Sequence, residues 1–339
     1  MRRLSLGLAV LLAVAGLVFI GSAQEKIALF ICNMAHPFFI DMVEGAQDAA
    51  EALGAKVVAF DGQNDPATQL AQVEDAIAAG YDAILLNPTS LEAMVPAVAK
   101  ANEAGIPVFT LDRDVAGGER IAYIGTANVA AAEAGARYLL SKLLLLGRPL
   151  PWRIVHLWGT PGTSAAIERS TGVHNVLDPF VEAGVVEIVA DMTAYFDRAK
   201  GLHVMEDILA TTVDIDAVIV GNDEMALGAL EALKGVGLKV GEPDGVLIMG
   251  FDAIPDALNA VKRGDFIGTV AQAPYIMGYW GVEAAVRHLR EGWLPPEGTP
   301  VYGPTGALHL DTGGYIVTAE NVDSIAALVK TPPPLPGTE

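Results

Sequence analysis

The sequence predicts an α/β protein built as two similar doubly wound parallel-sheet lobes with a cleft between them. Short β-branched apolar runs alternate with longer Ala-rich helical stretches, the pattern that lays helices on the faces of a parallel sheet. The alternation runs through two comparable halves of the chain. Roughly 315 residues beyond the first segment also exceed what one hydrophobic core usually serves.

The opening stretch, "MRRLSLGLAVLLAVAGLVFIGSA", carries Arg2 and Arg3, an uncharged apolar run and a small-residue ending. That is the layout of an export signal cleaved after Ala23, so residues 1–23 are expected to be removed and the mature protein to reside in the periplasm. A signal anchor is the competing reading, because Leu4 to Ile20 is nearly long enough to span a bilayer. The first strand, "KIALFIC" (26–32), runs into "AHPFFIDM" (35–42), where Pro37 starts a helix beside two phenylalanines. "KVVAF" (56–60) follows, then a helix over "DPATQLAQVEDAIAAG" with Asp65 as cap, Pro66 at its first position and Gly80 as its stop. "AILLN" (83–87), "PVFTLD" (107–112) and "AYIGT" (122–126) complete the first set.

"RIVHLWG" (153–159), "VEIVADM" (186–192), "AVIVGND" (217–223), "VLIMGFD" (246–252) and "IGTVAQ" (267–272) repeat the scheme. Their continuous apolar character implies sheets covered on both faces. "PPPLPGTE" (332–339) reads as an extended mobile tail, so 331–339 is set apart.

The formal charge is −20, and losing Arg2 and Arg3 with the leader takes it to −22, with no basic cluster. Such a surface repels phosphate backbones and anionic membranes, which excludes nucleic acid as a partner and leaves small molecules or proteins. The single cysteine, Cys32, forms no internal disulfide and reads most simply as a buried free thiol.

Strand after strand ends in a hydrogen-bonding side chain: Asn87, Asp112 with Arg113, Asn222 with Asp223, Asp252, and Gln272. In open parallel sheets those carboxyl ends line the ligand crevice, and ends from both halves can converge on one interdomain cleft. The plainer alternative is helix capping, which suits Asn87 before Pro88 and Thr89 best.

The stretches "HPFFIDMVEGAQ", "NPTS", "TLDRD", "GTSAAIERSTG", "YFDRAKGLHVMEDIL", "GNDEMALGALEAL", "GFDAIPDALNAV" and "GTVAQAPYIMGYWGVEAA" closely resemble the ribose-binding group of periplasmic sugar-binding proteins, in the same order. The resemblance covers about residues 26 to 290. It implies a type I periplasmic-binding-protein fold whose lobes, joined by a three-crossing hinge, close on one sugar and present it to an ABC-type permease. The implied lobes are 24–127 plus 273–309 and 128–272 plus 310–330, with crossings near 126–128, 272–274 and 309–314. By the same resemblance Phe38, Phe39 and Phe196 lie against the sugar ring, while Asp112, Arg113, Arg169, Asn222, Asp252 and Gln272 bond its hydroxyls. The chemistry suits that assignment. Flat rings match the apolar C–H faces of a sugar, and carboxylates, amides and guanidinium forks match its hydroxyl rim. Two acids balance two arginines, which favours an uncharged ligand.

Cys32 and His36 stand where the family carries a serine and an asparagine, so a ligand other than ribose, including another pentose, a hexose or a polyol, stays open. His36 reads either as a ligand contact or as a cap. Trp158 is a candidate to narrow the pocket or to sit between the domains. Segments 143–152 and 291–307 look like insertions. A monomer is expected.

No metal site and no cofactor is expected. The sequence lacks G-x-G-x-x-G, a Walker lysine, a G-x-S-x-G elbow and H-E-x-x-H, which argues against an enzyme. "GTPGTSAA" is a weak phosphate-loop candidate without that lysine. A sugar-responsive transcription regulator would need a helix-turn-helix at its start rather than an export signal. A chemotaxis or sensor receptor would use the same binding chemistry.

Overall fold

The chain builds two six-stranded sheets in the computed structural model, which describes residues 24–303 and 305–338. The leader expected at 1–23 lies outside the described residues. In the first sheet β1 (Lys26–Ile31), β2 (Lys56–Asp61), β3 (Ala83–Leu86), β4 (Val108–Leu111), β5 (Ala122–Gly125) and β11 (His309–Asp311) take the order β11-β5-β4-β3-β1-β2, all parallel. In the second, β6 (Trp152–Trp158), β7 (Val186–Thr193), β8 (Ala217–Val220), β9 (Leu247–Asp252), β10 (Gly268–Ala271) and β12 (Tyr315–Val317) take the order β12-β10-β9-β8-β6-β7. Only β12 among these runs antiparallel to its neighbour. The strand order reverses at β1 and at β6, and ligands of open α/β sheets bind at such switch points.

The helices are α1 (Pro37–Leu53), α2 (Pro66–Ala78), α3 (Val95–Glu103), α4 (Asn128–Leu145), α5 (Ser164–Glu182), α6 (Arg198–Leu209), α7 (Asp223–Gly235), α8 (Pro255–Arg263), α9 (Pro274–Glu291) and the short α10 (Ile325–Val329). Local chemistry fixes their starts. Asp65 accepts the N–H groups of Ala67 and Thr68 ahead of α2, and Thr163 accepts that of Ala166 ahead of α5. Each sheet carries an apolar layer on both faces: Phe30, Ile84 and Val98 on one side of the first, Leu29, Leu85 and Met277 on the other. α1 and α9 pack closely because a Cβ on Gly278 would lie 1.9 Å from the Met42 carbonyl oxygen. None of the helices among the described residues is long and apolar enough to cross a membrane.

The chain passes between lobes from β5 to α4, from β10 to α9, and from β11 to β12. The third passage comes later than a boundary at 309/310 implies, because Leu310 and Asp311 pair with Ile124 and Gly125 in the first sheet. Strands of three residues are too short to show a period, so neither β11 nor β12 is visible in the sequence.

The expected mobile tail is instead packed. Leu335 is fully buried in the first lobe's core, and the indole N–H groups of Trp280 and Trp293 donate to Pro333 and Pro336 carbonyls at 2.9 and 3.3 Å. Lys330 reaches Asp41 and Glu44 on α1 at 3.0 and 2.9 Å. After joining the second lobe through β12 and Ile325, the chain thus returns to the first, a fourth crossing. The apparent insertion at 291–307 also has a place: Tyr302 packs at a tilt against Tyr123 (ring centroids 4.3 Å) and edge to face against His309 (5.0 Å).

Candidate functional site

The helix that begins at Pro37 depends on His36, whose Nδ1 accepts the Phe38 N–H at 3.2 Å. This contact puts Phe38 and Phe39 on the first turn of α1, edge to face with centroids 5.2 Å apart. Both rings are almost wholly buried, and both border a small cavity between the lobes as well as the first lobe's core. Phe196 enters from the second lobe, its ring filling space that a Cβ on Gly159 would occupy at 1.9 Å. Arg113 lies between the aromatic walls, 5.7 Å from the Phe39 centroid and 5.5 Å from that of Phe196.

The polar wall is equally composite. Asp112, just past β4, is held by Asn87, whose Nδ2 donates to Asp112 Oδ2 at 3.1 Å and to the Leu111 carbonyl at 3.0 Å. Asn87 Oδ1 accepts the Cys32 N–H at 3.1 Å, so Asn87 caps no helix and instead ties three strand ends together. From α5, Arg169 donates through Nη1 to the Gly221 carbonyl (2.8 Å) and Asp252 (3.3 Å), and through Nε to Asn128 (2.9 Å). Its guanidinium sits 4.1 Å from the Phe251 ring centroid. Gln272 donates to Asp252 at 2.6 Å. Asp223, fully buried, accepts from Thr269 and from the Ile254 N–H and braces the loop that follows Asp252.

Several polar atoms in this wall have no hydrogen-bond partner among the described residues: Asp112 Oδ1, Gln272 Oε1 and Arg113 Nε, the first lying 4.0 Å from Arg169 Nη2 and the last 3.7 Å from Asp112 Oδ2. An unpaired buried polar atom costs about 1–3 kcal/mol, so these define where hydrogen-bonding partners are wanted. Burial raises the Asp112 carboxyl against the pull of Arg113 and Arg169, and pushes Asp252 up to about 7. Asp112, Phe196 and Asp252 adopt positive φ of 59°, 58° and 116°, a backbone conformation that L residues pay for and that clusters at functional sites.

Burial, helped by the guanidinium groups of Arg113, Arg169 and Arg198, lowers His36 to about 4, leaving a neutral ring at pH 7. Because Nδ1 accepts from Phe38, the ring proton sits on Nε2. Asn222 Nδ2 lies 3.2 Å from that Nε2, while Asn222 Oδ1 caps α7 by accepting the Met225 N–H at 3.0 Å. Two donors therefore lie side by side across the cleft, and one acceptor oxygen beside the pair, within reach of each, would satisfy both.

The structure gathers His36, Phe38, Phe39, Asp112 and Arg113 from one lobe with Arg169, Phe196, Asn222, Asp252 and Gln272 from the other. It leaves out two expected residues. Cys32 is fully buried in the core, where desolvation pushes its thiol up to about 11, and Trp158 is half-buried at the end of β6, away from the cavity lining. Ala165 lines the cavity without having been expected, since a methyl group carries no polar signal. The "GTPGTSAA" loop serves lobe contact: the Gly162 carbonyl accepts from Leu91 N–H at 2.8 Å, and Ser164 Oγ from Asp114 N–H at 3.0 Å.

The profile of the periplasmic binding protein domain matches residues 27–292. The ribose import binding protein of Haemophilus influenzae is 42% identical over 269 residues, 79% of this chain and 87% of that protein. A xylitol-binding protein of Mycolicibacterium smegmatis is 32% identical over 79% of this chain and 73% of its own length. Among solved structures, a Caulobacter myo-inositol binding protein bound to myo-inositol superposes with a TM-score of 0.79 at 30% identity, covering 93% of this chain and all of that one. With this fold, and with a polar and aromatic cavity between its lobes, the chain belongs to the periplasmic binding protein domain family.

Proposed function

We propose that the protein captures one neutral monosaccharide or small polyol by closure of its two lobes and delivers it to an ABC-type membrane permease. The observation that carries this reading is a set of buried atoms without hydrogen-bond partners among the described residues, Asp112 Oδ1, Gln272 Oε1 and Arg113 Nε, on residues that line one cavity with phenylalanines on either side. Hydroxyls both donate and accept, so a polyhydroxylated ring answers all of them, and its C–H faces suit Phe38, Phe39 and Phe196. Two acids stand against two arginines, and because burial raises both carboxyls the site offers no surplus negative charge to a cationic ligand. Relatives named for ribose and xylitol, and a neighbour holding myo-inositol, support both the sugar and the polyol reading. Closure follows because hydroxyls bonded on one lobe find their remaining partners only when the other arrives.

Residues 1–23 act in this reading as a signal cleaved after Ala23, which places a monomeric mature protein in the periplasm, without catalytic activity. The test is a thermal-shift screen of pentoses, hexoses and polyols followed by calorimetry. A ligand that binds only the folded protein raises its melting temperature. Asp252→Ala should weaken the best ligand at least tenfold, about 1.4 kcal/mol or more, by deleting a charged acceptor. Equal affinity in that variant would remove this cavity from the function.

A further inference from the structure

In the second lobe, outside the cavity lining, His156 of β6 and Asp191 of β7 are direct neighbours across parallel strands, and their side chains share a face. Helix α5 covers that face and contributes His174. The three meet closely: His156 Nδ1 lies 3.1 Å from Asp191 Oδ1, and His174 Nε2 lies 3.0 Å from Asp191 Oδ2. One turn along α5, Asp178 lies 2.9 Å from His174 Nδ1. The two imidazoles stand edge to face, 5.4 Å apart, and one potential ligand atom from each of the three residues falls within 4.8 Å of the others.

We propose that His156, His174 and Asp191 form a binding site for a divalent transition-metal ion of the zinc class. Two imidazole nitrogens and a carboxylate are the donor set of three-ligand sites that leave a fourth position to water, and for such a set affinity rises toward copper, nickel and zinc rather than calcium or magnesium. Asp178 supplies the outer support such sites use: by accepting from Nδ1–H it fixes the tautomer that turns the Nε2 lone pair toward Asp191. Exposure is graded in the sense needed for entry. The His156 side chain is 1% exposed and anchors the site, whereas those of His174 and Asp191 are 29% and 37% exposed and open it to solvent. A cation placed among the three side chains pins α5 to the two strands.

Zinc chloride titrated into chelator-treated mature protein should bind at one equivalent and raise the melting temperature, and cobalt(II) should give the visible absorption of a low-symmetry nitrogen and oxygen site. His174→Ala and Asp191→Asn, neither of which borders the interlobe cavity, should each weaken zinc binding roughly tenfold or more. Circular dichroism checks that both variants fold. Failure of the folded wild-type protein to take up zinc, or zinc binding of equal affinity in both variants, would overturn the proposal and leave the cluster as a hydrogen-bonded ion pair.

Discussion

Single residues at this site serve two purposes at once. Asn222 caps α7 through Oδ1 and offers Nδ2 to the cleft, and His36 caps α1 through Nδ1 and offers Nε2–H to the same place. Capping and ligand contact, which compete as readings of the sequence, are compatible because each side chain has two functional ends. Phe38 and Phe39 behave similarly, presenting one face to the core and another to the cavity. In the proposed function His36 places a donor where an asparagine side chain would offer a shorter reach. His36→Asn should therefore reorder preference among pentoses, hexoses and polyols in a calorimetric panel while leaving the fold intact. An unchanged order of affinities would restrict His36 to its role at the helix start.

Among elements, α5 links cleft to hinge. Arg169 faces the cavity, and its neighbour Glu168 turns toward the start of α4, where Asn128 donates to Glu168 at 3.1 Å and accepts from Arg169 at 2.9 Å. Burial pushes the Glu168 carboxyl up to about 7, only partly offset by the nearby Tyr302 hydroxyl and the Asn128 amide. The sign follows from linkage. A carboxyl that holds its proton more tightly folded than unfolded makes the folded state lose stability as pH rises from about 4.5 to about 7. Glu168→Gln removes that contribution, so the variant's melting temperature should fall less than the wild type's between pH 5 and pH 8. Parallel melting curves for the two proteins would show that Glu168 does not titrate in this window. His36, whose proton affinity is lowered by burial, adds a slope of opposite sign below about 6.5 in both proteins and so leaves the comparison intact.

For the whole molecule, the C-terminal segment is an integral strap. It leaves the second lobe near Ile325, pairs Lys330 with α1 and buries Leu335 beside α9. Burying one leucine contributes about 1.5–3 kcal/mol. Deleting residues 331–339 should therefore lower the chemical-denaturation stability by roughly that amount, and an unaltered midpoint would show that the segment adds nothing to the core. Composition alone points the other way: "PPPLPGTE" lacks any period, and nothing local reveals that two tryptophan N–H groups and an apolar pocket await it.

The sequence by itself determined the sheet strands of four or more residues, the helix starts at Pro37 and Pro66 and the polar strand ends, because periodicity, caps and turns are local and each is written within a few neighbouring residues. Tertiary structure alone decided which of those polar ends share one cavity, and it moved Cys32 into the core and Trp158 away from the lining. It also decided that Asn87 braces three strands, that His156, His174 and Asp191 converge, and that the tail packs. These depend on distances between residues far apart in the chain. Such distances are set by how two lobes and their faces pack, which no stretch of sequence encodes locally.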